Sequence, residues 1–303
     1  MTLFKVDFKI RNLILRIKPK KNYTLGFIIK PIYTIFNFHK YLYWNAKIYN
    51  KKNDLMSKSL KFDGFFQKES NGEDLDEMLE IHNNALKDNK YSANKKFLKT
   101  FSIDVRKNEN KVFLKFLFKN NILDIIDTYL GYFYTMNKVL LMHSPNTEFV
   151  SGRSQEMHVD GDITNQLKIF VHLSDIDNQS GPLSALNKTN SSEVIKNLHE
   201  NNKFQRISMK ISDNLIDKNY FKNLKIFTGK KGLMSIIDTS RCLHFGSRIG
   251  NKDRIVLMYQ FLRSNNYRTR LFPNKKVNLD IEHFNFNENQ KFNHIIRFAD
   301  FRT

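Results

Sequence analysis

The sequence predicts a β-rich α+β domain with flanking helices, and three observations carry that prediction. Asp253 to Phe261, Gln166 to Leu173 and Asn137 to His143 are runs of branched and aromatic residues that read as strands. Leu75, Met78, Leu79, Ile81, His82 and Leu86 fall at helical spacing between Asp74 and Leu86, as do the apolar residues from Asn121 to Leu130. The chain has 303 residues, 41% hydrophobic and 13% aromatic, which is enough to bury a full core and is not a disordered composition.

The elements follow in order. Residues 1–58 form a basic, aromatic-rich extension, in which Lys5, Lys9, Arg11, Arg16, Lys18, Lys20 and Lys21 punctuate apolar positions. No small-residue cleavage site follows a clean apolar core, so no secretory signal is read there. The apolar stretch from Leu25 to Trp44 is broken by Lys30, Pro31, Asn37, His39 and Lys40, short of the ~20 apolar residues that span a bilayer. We expect it to pack as a helical layer on the domain; the alternative is a peripheral contact with an anionic membrane surface. Lys51 to Ser59 reads as a polar linker into a domain over 59–272. Beyond the helices at 74–86 and 121–130 and the strand at 137–143 comes the strand starting at Gln166. It runs into a turn at Ser174-Asp175, and Ser180-Gly181-Pro182 is a second turn. A helix capped by Ser191 or Ser192 and running from Glu193 to about Leu198 opens a polar insertion up to Lys231, expected to form a lid. Residues 273–303 form a basic, aromatic tail expected to pack back on the domain.

The decisive pattern is His158-Val159-Asp160, answered downstream by His244 with Arg254 behind it. Side chains two apart on a strand point the same way, so His158 and Asp160 can reach one ion. Two imidazoles and one carboxylate on one face of a metal form the facial triad of non-haem Fe(II) oxygenases, which leaves positions open for a co-substrate and oxygen. Thiolates or histidines alone would favour other metals.

Ser154-Gln155-Glu156-Met157-His158-Val159-Asp160 and Asp238-Thr239-Ser240-Arg241-Cys242-Leu243-His244-Phe245-Gly246 resemble the two metal motifs of the phytanoyl-CoA dioxygenase family, in its bacterial members. The resemblance opens at Leu60 to Phe65, ends after the Arg254 strand and covers roughly two thirds of the chain. It implies a double-stranded β-helix, a cupin-like jelly roll. It also implies Fe(II), 2-oxoglutarate and O2, with hydroxylation of a C–H bond and release of succinate and CO2. His158, Asp160 and His244 match the iron ligands, and Arg254 matches the residue that grips the far carboxylate of 2-oxoglutarate. A guanidinium forks onto a carboxylate in a way that lysine cannot reproduce. The family's Pro-Gly and His after the Gly-Pro turn are missing between Gly181 and Ser192, and Met157 and Val159 replace an aromatic and a basic residue.

Lys168 shares strand parity with Phe170 and His172, so it contacts the near carboxylate of 2-oxoglutarate if that face lines the barrel, and is a solvated lysine otherwise. Gln155, Asp238 and Arg248 are candidate substrate or supporting contacts. Asp238 is read first as a turn residue, and Arg248 competes with Arg254 for the co-substrate. Cys242, the only cysteine, reads as a small apolar residue, and one cysteine allows no internal disulfide, which suits a reducing, cytoplasmic setting.

Fifty Lys+Arg against 30 Asp+Glu give a net charge of +20. A chain crowded with Lys, Asn, Ile and Phe explains most of that excess, yet the field still draws in acidic substrates. The expected partner is a small molecule, anionic or linked to lipid or glycan, met in the cytoplasm or at the inner face of the membrane. Two other functions compete. Nucleic-acid demethylation suits the charge but lacks an aromatic base platform near the triad. A non-catalytic membrane or glycan-binding module would have no need of all three ligands and Arg254 together.

Overall fold

The computed structural model describes residues 55–131, 134–145, 153–160, 165–201, 210–248 and 250–263. The expectations for the N-terminal extension and the C-terminal tail lie outside the described residues. Strands and helices are numbered here in chain order. Seven strands form one antiparallel sheet, in spatial order β1 (Phe65–Glu69), β8 (Leu233–Ile237), β5 (Gln166–His172), β10 (Arg254–Arg263), β4 (Tyr134–Ser144), β3 (Leu98–Ser102) and β2 (Ser92–Lys95). A smaller sheet has the order β7 (Lys225–Ile226), β6 (Ser184–Ala185), β9 (His244–Phe245). Single bridges from His158 to His244 and from Met157 to Ile211 widen it.

Strand alternation gives the large sheet two different faces. Leu167, Ile169 and Val171 of β5, Leu257, Tyr259 and Phe261 of β10, and Val139 and Leu141 of β4 enter the main core. There they meet α1 (Leu55–Phe62), α2 (Leu75–Lys87), α3 (Val112–Lys119) and α4 (Ile122–Leu130). The intervening residues, Lys168, Phe170 and His172 on β5 and Arg254, Val256, Met258 and Gln260 on β10, face a cavity closed by the small sheet. Phe113, Phe116, Leu117, Ile122 and Ile126 are fully buried under the helices, each contributing about 1.5–3 kcal/mol. Tyr259 stacks on Phe116, and its hydroxyl donates to Phe113 O at 2.9 Å. Between α3 and α4 the backbone turns through a left-handed Asn121, φ 54°, a conformation that asparagine tolerates.

The expected strands and the helices at 74–86 and 121–130 are all present within a few residues. Three expectations need correction. From Leu55 onward the supposed linker is the helix α1, with Leu60 fully buried against the core. The helix expected from Glu193 is α5 (Lys188–Glu200), and its cap is Asn187, whose side chain accepts from Asn190 N at 2.8 Å. Ser191 lies inside that helix, its hydroxyl donating to Leu186 O and accepting from Leu243 N, so it ties the helix to the segment before His244.

The lid expectation also changes. Val194 and Leu198 of α5 and Ile216 pack with Met157, Val159 and Leu243, behind the two ligand segments. Of the described residues between 191 and 231, only Phe227 lines the cavity. The described residues of this insertion back the site rather than cover it.

Gly64 explains the Asp63-Gly64-Phe65 signal. Its φ is +89°, and a Cβ there would lie 2.4 Å from Cys242 Sγ and 2.8 Å from Lys188 Cγ. Its carbonyl accepts Asp238 N at 2.8 Å, which pins the entry of the domain to the turn before His244.

Candidate active site

The site is built from two short backbone segments rather than from a regular strand. His158 and His244 exchange backbone hydrogen bonds, 3.1 and 2.9 Å, as an isolated antiparallel bridge, and Asp160 N donates to Thr239 O at 2.9 Å. His158 and Asp160 therefore do not share a sheet strand as expected; an extended segment held by a single bridge does the same work. The bridge sets the two rings side by side, their centroids 4.3 Å apart.

Each ring is oriented in the same way. His158 Nδ1 lies 2.8 Å from Glu156 O, and His244 Nδ1 lies 2.9 Å from Cys242 O. A carbonyl can only accept, so both Nδ1 atoms carry the proton and both Nε2 lone pairs are left for a ligand. Ligand atoms of His158, Asp160 and His244 lie within 4.8 Å of one another. Burial, with His158 adding to it, pushes His244 down to about 3, and burial also lowers His158. At Asp160 burial works upward, but Lys168 and His244 outweigh it and hold the carboxyl well below its usual range. The donor set is thus two neutral imidazoles and one carboxylate, which fits a divalent cation.

Lys168 lines the cavity, as its parity requires, and its Nζ lies 2.7 Å from Asp160 Oδ2. It reaches the carboxylate of the triad itself.

Arg254, the first residue of β10, is buried at the far end of the same cavity. Nη1 donates to Gly181 O at 2.6 Å, and Nη2 donates to Ser247 Oγ at 2.6 Å and to Ser144 Oγ at 3.2 Å. Among the described residues no carboxylate pairs with it. Burial lowers its guanidinium to about 10, so it remains a cation at neutral pH. His172 shares this wall and is pushed down to about 4, by burial first and then by Arg254. The cavity between the triad and this arginine encloses about 290 Å³.

The other candidates take supporting places. Gln155 is fully buried and its Nε2 donates to Ser247 O at 2.5 Å, linking the first ligand segment to the loop that carries a hydroxyl for Arg254. Arg248 is engaged outside the cavity: it forks onto Asp213 at 2.6 and 2.8 Å and stacks 3.4 Å over Phe245. That leaves Arg254 alone in the position Arg248 was thought to contest. Asp238 is buried in the turn before His244, accepting from Ser240 N and Oγ and from the Tyr129 hydroxyl. Cys242 is buried, and burial pushes its thiol upward, away from reactivity.

Sequence reasoning missed Ser144, whose hydroxyl accepts from Arg254, and Ser247, Lys95 and Lys138, which line the cavity. The serines converge on Arg254 from positions 103 residues apart and carry no sequence signal. Lys138 was legible, because alternation along the 137–143 strand puts it opposite the core residue Val139.

No protein-family model matches the chain, and no curated protein matches it by sequence. Solved structures do. The chain is similar to a "non-heme alpha ketoglutarate dependent carbocyclase", SnoK from nogalamycin biosynthesis, with TM-score 0.51 and 9% identity over 68% of this chain and 82% of that one. It is also similar to the epimerase SnoN, solved with Fe3+, alpha ketoglutarate and nogalamycin RO, with TM-score 0.50 and 11% identity over 78% of this chain and 93% of that one. The fold is a double-stranded β-helix. At these identities the likeness is one of architecture, and the large sheet backed by helices and the small sheet carrying His158 and His244 are its two walls. Among the described residues no helix is long and apolar enough to cross a membrane.

Proposed function

We propose that the protein is a non-haem Fe(II)- and 2-oxoglutarate-dependent oxygenase that hydroxylates a C–H bond of a small-molecule, lipid or sugar-containing biosynthetic intermediate. One observation carries the proposal: two neutral imidazoles and a carboxylate converge within 4.8 Å on one side of a cavity whose other end holds a buried arginine without a carboxylate partner among the described residues. SnoK is named for dependence on alpha ketoglutarate and SnoN was solved with Fe3+ and alpha ketoglutarate bound, which favours the same chemistry here. The motifs around His158 and His244 resemble those of the phytanoyl-CoA dioxygenase family, which supports reading it as an enzyme of that type.

In this reading His158 and His244, through Nε2, and Asp160 hold the metal. Bound iron and 2-oxoglutarate supply the oxidising chemistry, with succinate and CO2 as the products of the keto acid. The protein's own part is position, charge and dryness. Arg254 binds the far carboxylate, and its existing bonds to Ser144, Ser247 and Gly181 fix the plane of the fork before the ligand arrives. Lys168 restrains the Asp160 carboxylate so that it presents one orientation. Phe170, Val256 and Met258 line the wall between these groups and exclude water. The presence of Asp160 itself favours hydroxylation over halogenation, which needs that position vacated for a halide.

The test is succinate release dependent on both Fe(II) and 2-oxoglutarate, combined with metal content after dialysis. Wild-type protein should bind one equivalent of iron and release succinate, and His158→Ala and Asp160→Ala should lose both while keeping the fold by circular dichroism. Folded wild-type protein that retains no metal would overturn the proposal.

A further inference from the structure

The wall of the cavity is lopsided in charge. Lys95, Lys138, Lys168 and Arg254 line it against a single carboxylate, Asp160. Lys168 is engaged with Asp160, and Arg254 serves the co-substrate in the reading above. That leaves cationic capacity which neither metal nor co-substrate uses. The side chain of Lys138 forms no ion pair or hydrogen bond among the described residues. Lys95 donates to Ser154 Oγ at 3.1 Å, beside the first ligand segment.

Sheet register organises these charges. Gln260 of β10 pairs with Lys138 on one neighbour, β4, and with Lys168 on the other, β5. All three face the cavity, so they form one row, with the two lysine Cα atoms about 10 Å apart at the usual strand spacing of ~4.8 Å. Gln260 Nε2 donates to Gln166 Oε1 at 2.7 Å. Gln166 is fully buried, and its own Nε2 donor has no partner. The row therefore offers the ammonium of Lys138 and that of Lys168, the latter shared with Asp160, on either side of the Gln260 amide. Arg254 lies six residues back along β10, about 20 Å away at ~3.4 Å per residue. The cavity is polarised lengthwise, with the arginine at one end, the lysine row at the other, and Asp160 within reach of that row through Lys168.

We infer that the Lys138–Gln260–Lys168 row is a recognition subsite for an anionic group, carboxylate or phosphate, on the primary substrate. The inference rests on the co-substrate occupying the Arg254 end. A cationic substrate would meet like charge at the entrance to the row, and a neutral one would leave Lys138 without a counter-charge. An acceptor-rich anion satisfies both lysines, and it anchors the substrate at a fixed distance from the metal so that the bond to be oxidised is chosen by reach.

The experiment uses the full chain with manganese(II) in place of iron and with 2-oxoglutarate, under nitrogen, and reads binding by calorimetry. Probes are offered in pairs, glucose 6-phosphate against glucose and octanoate against octanol. The charged member of at least one pair should bind roughly tenfold to a hundredfold more tightly, the weight of one charge-assisted hydrogen bond. Its affinity should fall as sodium chloride rises, and whichever pair responds identifies phosphate or carboxylate as the source. Lys138→Gln should remove most of the difference, and Lys138→Glu should remove it entirely, at unchanged metal content and melting temperature. Charged and neutral members binding alike, no member binding, or Lys138→Gln binding the charged probe as wild type does would each overturn the inference. Binding of 2-oxoglutarate is titrated separately in the same protein, so its failure counts against the oxygenase reading and not against the anion subsite.

Discussion

Replacing Arg254 tests the co-substrate end of the cavity most sharply. The guanidinium is buried yet stays charged, because a value of about 10 leaves only on the order of 0.1% neutral at pH 7. Two serine hydroxyls and a carbonyl solvate it, and no carboxylate does so among the described residues. An incoming carboxylate would supply what the fold withholds. Arg254→Lys keeps the charge but loses the fork, and should weaken 2-oxoglutarate by about 1.5–3 kcal/mol, roughly tenfold to more than a hundredfold in Kd. Arg254→Met removes the charge and should weaken binding further. The assay is thermal unfolding of the manganese-loaded protein against 2-oxoglutarate concentration. At ~100 times Kd the ligand stabilises by about 2.7 kcal/mol. That corresponds to roughly 5–10 °C in Tm for a domain of this size. The wild-type curve should show that shift, and the Arg254→Lys curve should reach it only at proportionally higher ligand. Equal concentration dependence in the two proteins would refute the assignment of Arg254.

Other outcomes follow from the same geometry. Asp160→Ala should abolish iron retention, measured by metal analysis, and leave Lys168 without its partner. Gly64→Ala should destabilise by about 3 kcal/mol or more in denaturant unfolding, since ~1–2 kcal/mol for the left-handed φ adds to overpacking against Cys242 and Lys188. Tyr129→Phe removes a donor from buried Asp238 and an acceptor from Lys188 Nζ, and should cost about 1–3 kcal/mol in the same assay. His82 and His172 are each lowered to about 4, mainly by burial, below the unfolded value of about 6.5. Between those values the unfolded chain binds the proton first, so their contribution is full above pH 6.5 and is lost as pH falls toward 4. Metal-free protein should melt progressively lower across that window, and His82→Gln should flatten the slope.

Much of the fold was legible because its strands and helices have single, strong periods. β10 and β5 read as strands from composition, and α2 and α4 from their spacing. The misses have physical causes. α1 is short and half polar, and only Leu60 reveals that one side of it is buried, so Lys51 to Ser59 looked like a linker. The start of α5 was hidden because Asn187, not the more conspicuous Ser191, makes the cap. The triad residues were found by type and spacing, yet the backbone that unites them was not foreseen, because a single bridge between residues 158 and 244 is a long-range event with no local pattern. Lys168 shows the same limit. Parity gave its direction, but whether it would meet the co-substrate or Asp160 depended on where a separate segment lay.

Stability and chemistry are divided between the two faces of one sheet, and the division explains how the fold tolerates its site. The helix-facing residues of β10 and β5 are apolar and close-packed, and they carry the burial that offsets chain entropy. The cavity face holds a buried cation without a carboxylate partner among the described residues, and unsatisfied atoms of Gln166 and His172. Each of these costs free energy until a ligand answers it. Because strand side chains alternate, neither set can be altered by sliding the register without exchanging both. An apolar substitution at Arg254 should therefore tend to stabilise the metal-free protein while removing function, whereas the same change at Ile169 or Tyr259 should do neither. A cavity-facing series that lowered Tm at every position would contradict this division of labour, because it would mean the polar wall was itself holding the sheet together.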